Sequence, residues 1–440
     1  MAVSEAATAA DAGPEGLRRA VLVVAFVVFL DLVGFGIVVP VLPFYVRSFG
    51  ASDVFVGLLA ASYSVTQFAF APLLGRLSDQ HGRRPVLLLS LLGSAVAWTV
   101  FGVGGSLAVL FAARMLAGAM GGNVATAQAY VADVTPMDRR AGALGLLGAA
   151  FGLGFVVGPA IGGFFASDPV VAAARAVLPA AVPATRFSLP SFAAAGSSLL
   201  AVVVGAVLLG EPERTPATGS RPSLVGQFVA AARDARLGPL VAAFLVHSVA
   251  FSGVQVMFIP FAADVYGYSA SDVALLLTYV GVVGVLNQGV LVGRLSRVVA
   301  DRWLAAAGGA LLLVALGALP FAPVIGAALP DPGGPAFLTP ALVALLGVLT
   351  VLSLGNGLLT VALSTLVSRV ADAGQQGAAF GVSQGAGSLG RTLGPPAMAA
   401  LYVAAFWSPF VAGAALMAVV LALVGLVARA ELADESAATG

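Results

Sequence analysis

Apolar runs of about twenty residues recur along the whole of this 440-residue sequence, each long enough to cross a bilayer core of roughly 30 Å as a helix. A soluble chain of this size needs far more polar surface than 9% charged residues supply. The runs are crowded with Gly and Ala, as close helix packing in lipid favours. The expected fold is an all-α polytopic membrane protein.

Spans are expected at roughly 20–45, 54–75, 85–104, 107–132, 142–165, 190–210, 239–263, 271–293, 303–325, 338–362, 378–402 and 407–430, which makes about twelve. Their orientation follows from arginine. One set of loops and termini carries Arg18, Arg19, Arg76, Arg83, Arg84, Arg139, Arg140, Arg214, Arg221, Arg233, Arg236, Arg294, Arg297, Arg302, Arg369 and Arg429; the other holds only Arg47, Arg175 and Arg186. Both termini are therefore expected in the cytoplasm. The acidic start, Met1 to Gly16, lacks the layout of a cleaved signal peptide, so the first helix is expected to be retained.

Internal repetition divides the chain. Gly75-Arg76-Leu77-Ser78 returns as Gly293-Arg294-Leu295-Ser296, and Gly145, Gly154, Gly158 and Pro159 return with the same spacing as Gly381, Gly390, Gly394 and Pro395. Same-sense repeats with an even number of spans give two parallel six-helix halves related by an axis along the membrane normal. The domains expected are a tail (1–19), a first half (20–210), a cytoplasmic linker (211–238), a second half (239–430) and a tail (431–440). The linker is marked by Pro212, Pro216 and Pro222. The external segment 167–190 is expected to hold a short helix.

Composition removes several chemistries. There is no cysteine for thiolate chemistry, two histidines are too few for a His-based metal cluster, and the P-loop pattern Gly-x-x-x-x-Gly-Lys is impossible without lysine. A net charge of +1 gives no reason to expect nucleic acid as a partner. The sequence points to no enzyme.

Polar residues inside the apolar runs are the candidates for function. Asp31 lies near the middle of the first span, where a carboxylate costs roughly 2.5–3.5 kcal/mol on insertion scales. It needs a protein partner or a water-filled cavity, and the alternatives are a proton site or a permanent ion pair with Arg114. In the fourth span Arg114, Gly118, Gly121, Ala125 and Gln128 fall on one helical face, which turns the arginine toward protein; snorkelling to the external boundary is the other reading. Gly154, Gly158 and Gly162, followed by Gly163, form a stripe without side chains beside Pro159, which bends the helix. In the eleventh span Gln384, Ser388 and Arg391 share a face, with anion binding, gating or a purely structural role open to the arginine. Tyr63, Gln67, Asn123, Gln128, His247, Gln255, Asn287, Gln288 and Asn356 are candidate cavity residues, each also explicable as an interhelix hydrogen bond.

The island between the second and third spans, Gly75, Asp79, Gly82, Arg83 and Arg84, matches the Gly-x-x-x-Asp-x-x-Gly-Arg-Arg motif, and at this point the chain resembles the major facilitator superfamily. The resemblance implies that Asp79 and Arg83 belong to a cytoplasmic latch with Asp133, at the end of the fourth span. It implies proton transfer at Arg114, and an interface helix of the drug-exporting antiporters at Gly154–Gly163. Asp31, Gly34, Gly36, Pro40, Pro43 and Gln67 narrow the likeness to the tetracycline-efflux branch of the twelve-span drug:proton antiporters. Those exporters carry further acids in the third and ninth spans, where this chain is apolar near Ala97 and Leu311. In the second island the charges are transposed, with Arg297 in place of Asp79 and Asp301 in place of Arg83.

The function expected is secondary active transport: proton-coupled export of small amphiphilic compounds by alternating access, with Asp31 and Arg114 coupling the proton. An uptake permease for a metabolite and a non-transporting receptor or scaffold are the alternatives. The expected setting is the inner or plasma membrane of a prokaryote, as a monomer, with a small-molecule substrate, protons and lipid as partners. No cofactor is expected, only a proton gradient.

Overall fold

The computed structural model describes residues 14–137, 139–212, 226, 233–331, 333, 335, 337–371 and 376–439, which form helices and connecting turns with no strand among them. Among the described residues, eleven helices are long and apolar enough to cross a membrane. They are α1 (Glu15–Ser48), α2 (Val54–His81), α3 (Arg83–Val103), α4 (Leu107–Val134), α5 (Gly142–Ala166), α6 (Ser188–Leu208), α7 (Leu237–Tyr266), α8 (Ala270–Leu295), α9 (Asp301–Ala327) and α10 (Pro340–Val370), with Ser408–Arg429 in the last. Between the last two lies α11 (Gln376–Ala404), 29 residues long and spanning by length, whose Gly, Ser, Gln and Arg residues make it less apolar. The final helix, α12, runs Ser408–Thr439.

Several helices overrun the spans expected from hydropathy, α2 to His81 and α10 to Val370. An apolar run measures the hydrocarbon thickness, whereas a helix continues into the water layer until a turn stops it. Gly82 is such a stop: its φ of +114° lies in the region that favours glycine, and it separates α2 from α3. Pro40 and Pro43 tighten the C-terminal part of α1 into a 3-10 turn at Val39–Val41, as their missing N–H groups require. The short helix expected within 167–190 is present as Asp168–Val177.

Contacts among the described residues gather into two compact units. The first takes in the described residues within Met1–Ala51, Ser62–Gly219 and Ala262–Gly281, the second those within Ser52–Ala61, Ser220–Phe261 and Val282–Gly440. In the first, α1 packs on α5 and α6, and α3 packs on α4 and α6. Val24, Val27, Leu87, Leu91, Tyr130, Val131 and Leu147 are buried together there, and Tyr130 donates its hydroxyl to the carbonyl of Gly210 at 2.9 Å. In the second, α9 packs on α10 and α12. Most of the expected linker lies outside the described residues, including Arg214, Pro216, Arg221 and Pro222, as does the tail before residue 14.

Candidate functional site

The glycine stripe of α5 is what brings α1 close. A Cβ on Gly154 would stand 2.7 Å from Leu32 Cβ, one on Gly158 would stand 2.7 Å from Gly36 Cα, and one on Gly162 would meet the carbonyl of Ile37. These are backbone approaches that only glycine permits. Gly163 turns to α8 instead, where its carbonyl accepts the Ser271 hydroxyl at 2.9 Å. The stripe thus fixes the part of α1 that carries Asp31 and Phe35.

Asp31 is half-buried and accepts a hydrogen bond from Asn123 Nδ2 at 2.8 Å. Among the described residues it forms no ion pair with Arg114, so the permanent pair considered from the sequence is not the arrangement found. Nor do Arg114, Gly118, Gly121, Ala125 and Gln128 share one continuous face. α4 is interrupted at Gly121–Gly122 between segments Leu107–Met120 and Asn123–Val134, and Ala125 and Gln128 are exposed. The interruption follows from packing. Gly118 lies against the backbone of Tyr63, and the Gly121 carbonyl, released from helical bonding, accepts Gln67 Nε2 at 3.1 Å.

Arg114 is 4% exposed and sits among ring faces rather than carboxylates. Its guanidinium carbon is 4.7 Å from the ring centre of Tyr63, 5.4 Å from Phe35 and 5.9 Å from Trp98, within cation–π range. Snorkelling does not describe a side chain so enclosed.

At the other end of α2 the island folds around Arg83. Its Nε donates to Asp133 Oδ2 at 2.8 Å, and its Nη1 donates to Asp79 Oδ1 and Ser78 Oγ at 2.6 Å. The three residues matched to the latch motif therefore meet. Gly75 has open space around it, and Arg84 donates to the carbonyl of Ala206. Sequence reasoning missed Glu211, whose carboxylate accepts the backbone N–H of Arg83 at 2.7 Å and of Arg84 at 2.9 Å. It satisfies the first N–H groups of α3 and fills the space that a Cβ on Gly82 would need. A Gly-Glu-Pro at the end of a span was the available signal; nothing in its spacing named the partner 128 residues away.

The transposed island has a transposed pair. Asp301, buried at the start of α9, lies 2.7 Å from Arg369 Nη2 at the end of α10, the place that Asp133 takes at the end of α4. The contact is an ion pair off the line of a hydrogen bond.

Of the candidate cavity residues in α7 to α11, His247 is buried, stacks on Phe251 and neighbours Asn356. Gln288 lies in a π-helical stretch, Asn287–Val292, and its side chain approaches Gly357. Gln255 and Gln384 are exposed, and Arg391 Nη2 donates to Ser388 at 2.9 Å. These residues do not converge on one group as those around Arg114 do. No three His, Asp or Glu side chains come together among the described residues.

A second unforeseen pair is Arg47 with Asp264, joined by two hydrogen bonds of 2.7 Å. Its signal was present: Pro43-Phe44 returns as Pro260-Phe261, and counted from that dipeptide Arg47 and Asp264 occupy corresponding positions, while Ala51-Ser52-Asp53-Val54 returns two residues further on as Ala270-Ser271-Asp272-Val273.

The sequence profile of the Major Facilitator Superfamily matches residues 24–330. "Tetracycline resistance protein, class C" of Escherichia coli is 31% identical over 414 residues, covering 92% of this chain and 96% of the relative. "Multidrug resistance protein 1" of Bacillus subtilis (strain 168) is 31% identical over 272 residues, 61% of this chain and 65% of that protein's length. Among solved structures, a bacterial homologue of the human lysosomal transporter Spinster, inward-facing and occupied, superposes with a TM-score of 0.75 at 16% identity, covering 93% of this chain and 96% of the other. That last likeness is one of fold.

Proposed function

The chain belongs to the Major Facilitator Superfamily, and from that premise we propose that it exports small amphiphilic compounds by alternating access, coupled to protons through Asp31. It is a multi-pass membrane transporter, with relatives named for tetracycline and multidrug resistance. The observation that carries the finer reading is the Asp31–Asn123 hydrogen bond: an intramembrane carboxylate held by a neutral amide, with no arginine compensating it. Such a group can gain and lose a proton without breaking an ion pair. Protonation from outside would remove the charge that Asn123 holds; release of the proton inside would restore that bond and reset the helix.

The remaining assignments follow the same reading. The protein resides in the inner membrane of a bacterium as a monomer, with both termini cytoplasmic, no cofactor and the proton gradient as energy source. Residues 211–238 link two six-helix halves, 20–210 and 239–430.

The test is transport of a panel of amphiphilic dyes into everted vesicles under an imposed pH gradient. Asp31→Asn is expected to insert normally and to lose gradient-driven accumulation. Full accumulation by that variant would remove Asp31 from the coupling role, and dye movement in the opposite direction would replace export by uptake.

A further inference from the structure

The environment of Arg114 says more about the ligand than proton coupling requires. Its guanidinium is surrounded by residues from three other helices, Phe35 of α1, Tyr63 of α2 and Trp98 of α3, and Phe155 of α5 extends the wall by lying edge-on to Phe35 at 5.9 Å. Among the described residues Arg114 makes no hydrogen bond or ion pair, and its Nε is fully buried without a partner. Asp31, one helical turn before Phe35, is committed to Asn123.

Ring faces offset part of the charge of a buried cation but cannot use the directed N–H fork of a guanidinium. In a membrane interior, donors left in that state are an incomplete site. A planar anion completes it, because a carboxylate or enolate accepts two parallel N–H bonds in the guanidinium plane. The wall is open to such a ligand: Phe35 and Tyr63 are half-buried and Phe155 is 41% exposed. Four aromatic side chains favour a flat, conjugated body. A cationic ligand would meet the fixed charge of Arg114 in a medium that screens it poorly.

We propose that Arg114 and the rings of Phe35, Tyr63, Trp98 and Phe155 form the docking site for the anionic group of a planar aromatic substrate, so that the compounds carried are organic acids rather than organic cations. This rests on the transport reading above.

Trp98 supplies a reporter inside the site. The other two tryptophans, Trp303 and Trp407, are exposed and can be replaced by phenylalanine. Quenching of Trp98 in the purified full-length protein would be titrated with 4-nitrobenzoate and with its neutral counterpart 4-nitrobenzyl alcohol. Expected is saturable quenching by the acid, about 10-fold tighter than by the alcohol, with Arg114→Gln erasing the preference. Arg114→Lys, which keeps the charge and loses the fork, is expected to retain only part of it, and it carries the test if the Gln variant does not fold. Equal binding of acid and alcohol by the parent, absence of saturable quenching, or an undiminished preference in the lysine variant would overturn the proposal. The two readings fail separately. Arg114-dependent binding of the acid without any pH-driven flux keeps the anion site and removes proton-coupled export. PH-driven flux of neutral amphiphiles without such binding does the reverse.

Discussion

Arg47 and Asp264, 217 residues apart, face each other in a two-point pairing: Nη1 donates to Oδ1 and Nη2 to Oδ2, both at 2.7 Å. They occupy corresponding positions after Pro43-Phe44 and Pro260-Phe261, at the ends of α1 and α7. The pair is partly exposed, 28% for Arg47 and 43% for Asp264, so its net worth is at the surface-pair level of roughly 1 kcal/mol or less. In a cycle between two nearly balanced states that still changes populations up to about 5-fold. Arg47→Asp and Asp264→Arg are each expected to alter turnover in proteoliposomes by that order, and the charge-swapped double variant to return toward the parent. A double variant no better than either single would show that the pair does not govern the cycle.

Asn123 is the only side chain in the described hydrogen bonds that holds Asp31. A hydrogen bond to a charged group is worth about 1.5–3 kcal/mol, so Asn123→Ala should change gradient-driven transport by about 10- to 100-fold. Exchange of substrate without a gradient should change much less. Equal losses in both assays would make Asn123 a packing residue.

In the island around Arg83, exposure orders the expected effects. The Arg83 side chain is 13% exposed and those of Asp133 and Asp79 are 25% and 53%. Arg83→Ala should therefore slow transport most and Asp79→Ala least, with normal insertion in each. Glu211→Gln should act mainly on stability, lowering it by about 1 kcal/mol through the loss of charge at the start of α3. Thermal unfolding in detergent and turnover after reconstitution separate these roles, and turnover unaffected by both Arg83→Ala and Asp79→Ala would reduce the island to a topology signal.

The Asp301–Arg369 pair makes an asymmetric prediction. The Asp301 side chain is 5% exposed and that of Arg369 is 64% exposed. Arg369→Ala leaves a buried carboxylate without its partner, a loss of up to about 3–5 kcal/mol, whereas Asp301→Asn leaves an arginine in solvent at little cost. The arginine variant should melt lower, and adding Asp301→Asn to it should recover part of the difference. A lower melting temperature for Asp301→Asn would contradict this order.

Gly158 and Gly148 lie on one helix in opposite circumstances. A Cβ on Gly158 would stand 2.7 Å from Gly36 Cα, while one on Gly148 meets nothing within 4 Å. Gly158→Ala should part α1 from α5 and reduce both the yield of folded protein and transport. Gly148→Ala should express and transport as the parent does. Comparable behaviour of the two variants would mean that α1 yields easily.

Span number, the turn at Gly82, the grouping of Arg83 with Asp79 and the glycine stripe were legible in the sequence because each depends on neighbours within a few turns. The repeat also placed the transposed charge of Asp301 at the start of α9, ready for a partner at the end of α10. Which partner a side chain meets across helices was not legible. Asp31 and Arg114 looked matched by charge, yet Asp31 meets Asn123, 92 residues away, and Arg114 turns into a wall of rings. The break at Gly121–Gly122 also ends the continuous face on which Arg114, Gly118, Gly121, Ala125 and Gln128 had been aligned. The partner of Glu211 was hidden for the same reason, and the Pro-Phe repeat put Arg47 and Asp264 in corresponding positions without showing that they meet. Helical periodicity assigns a residue to a face of its own helix; the rotation and depth of that helix against its neighbours come from backbone contacts such as Gly36 on Gly158, and those decide which polar groups meet.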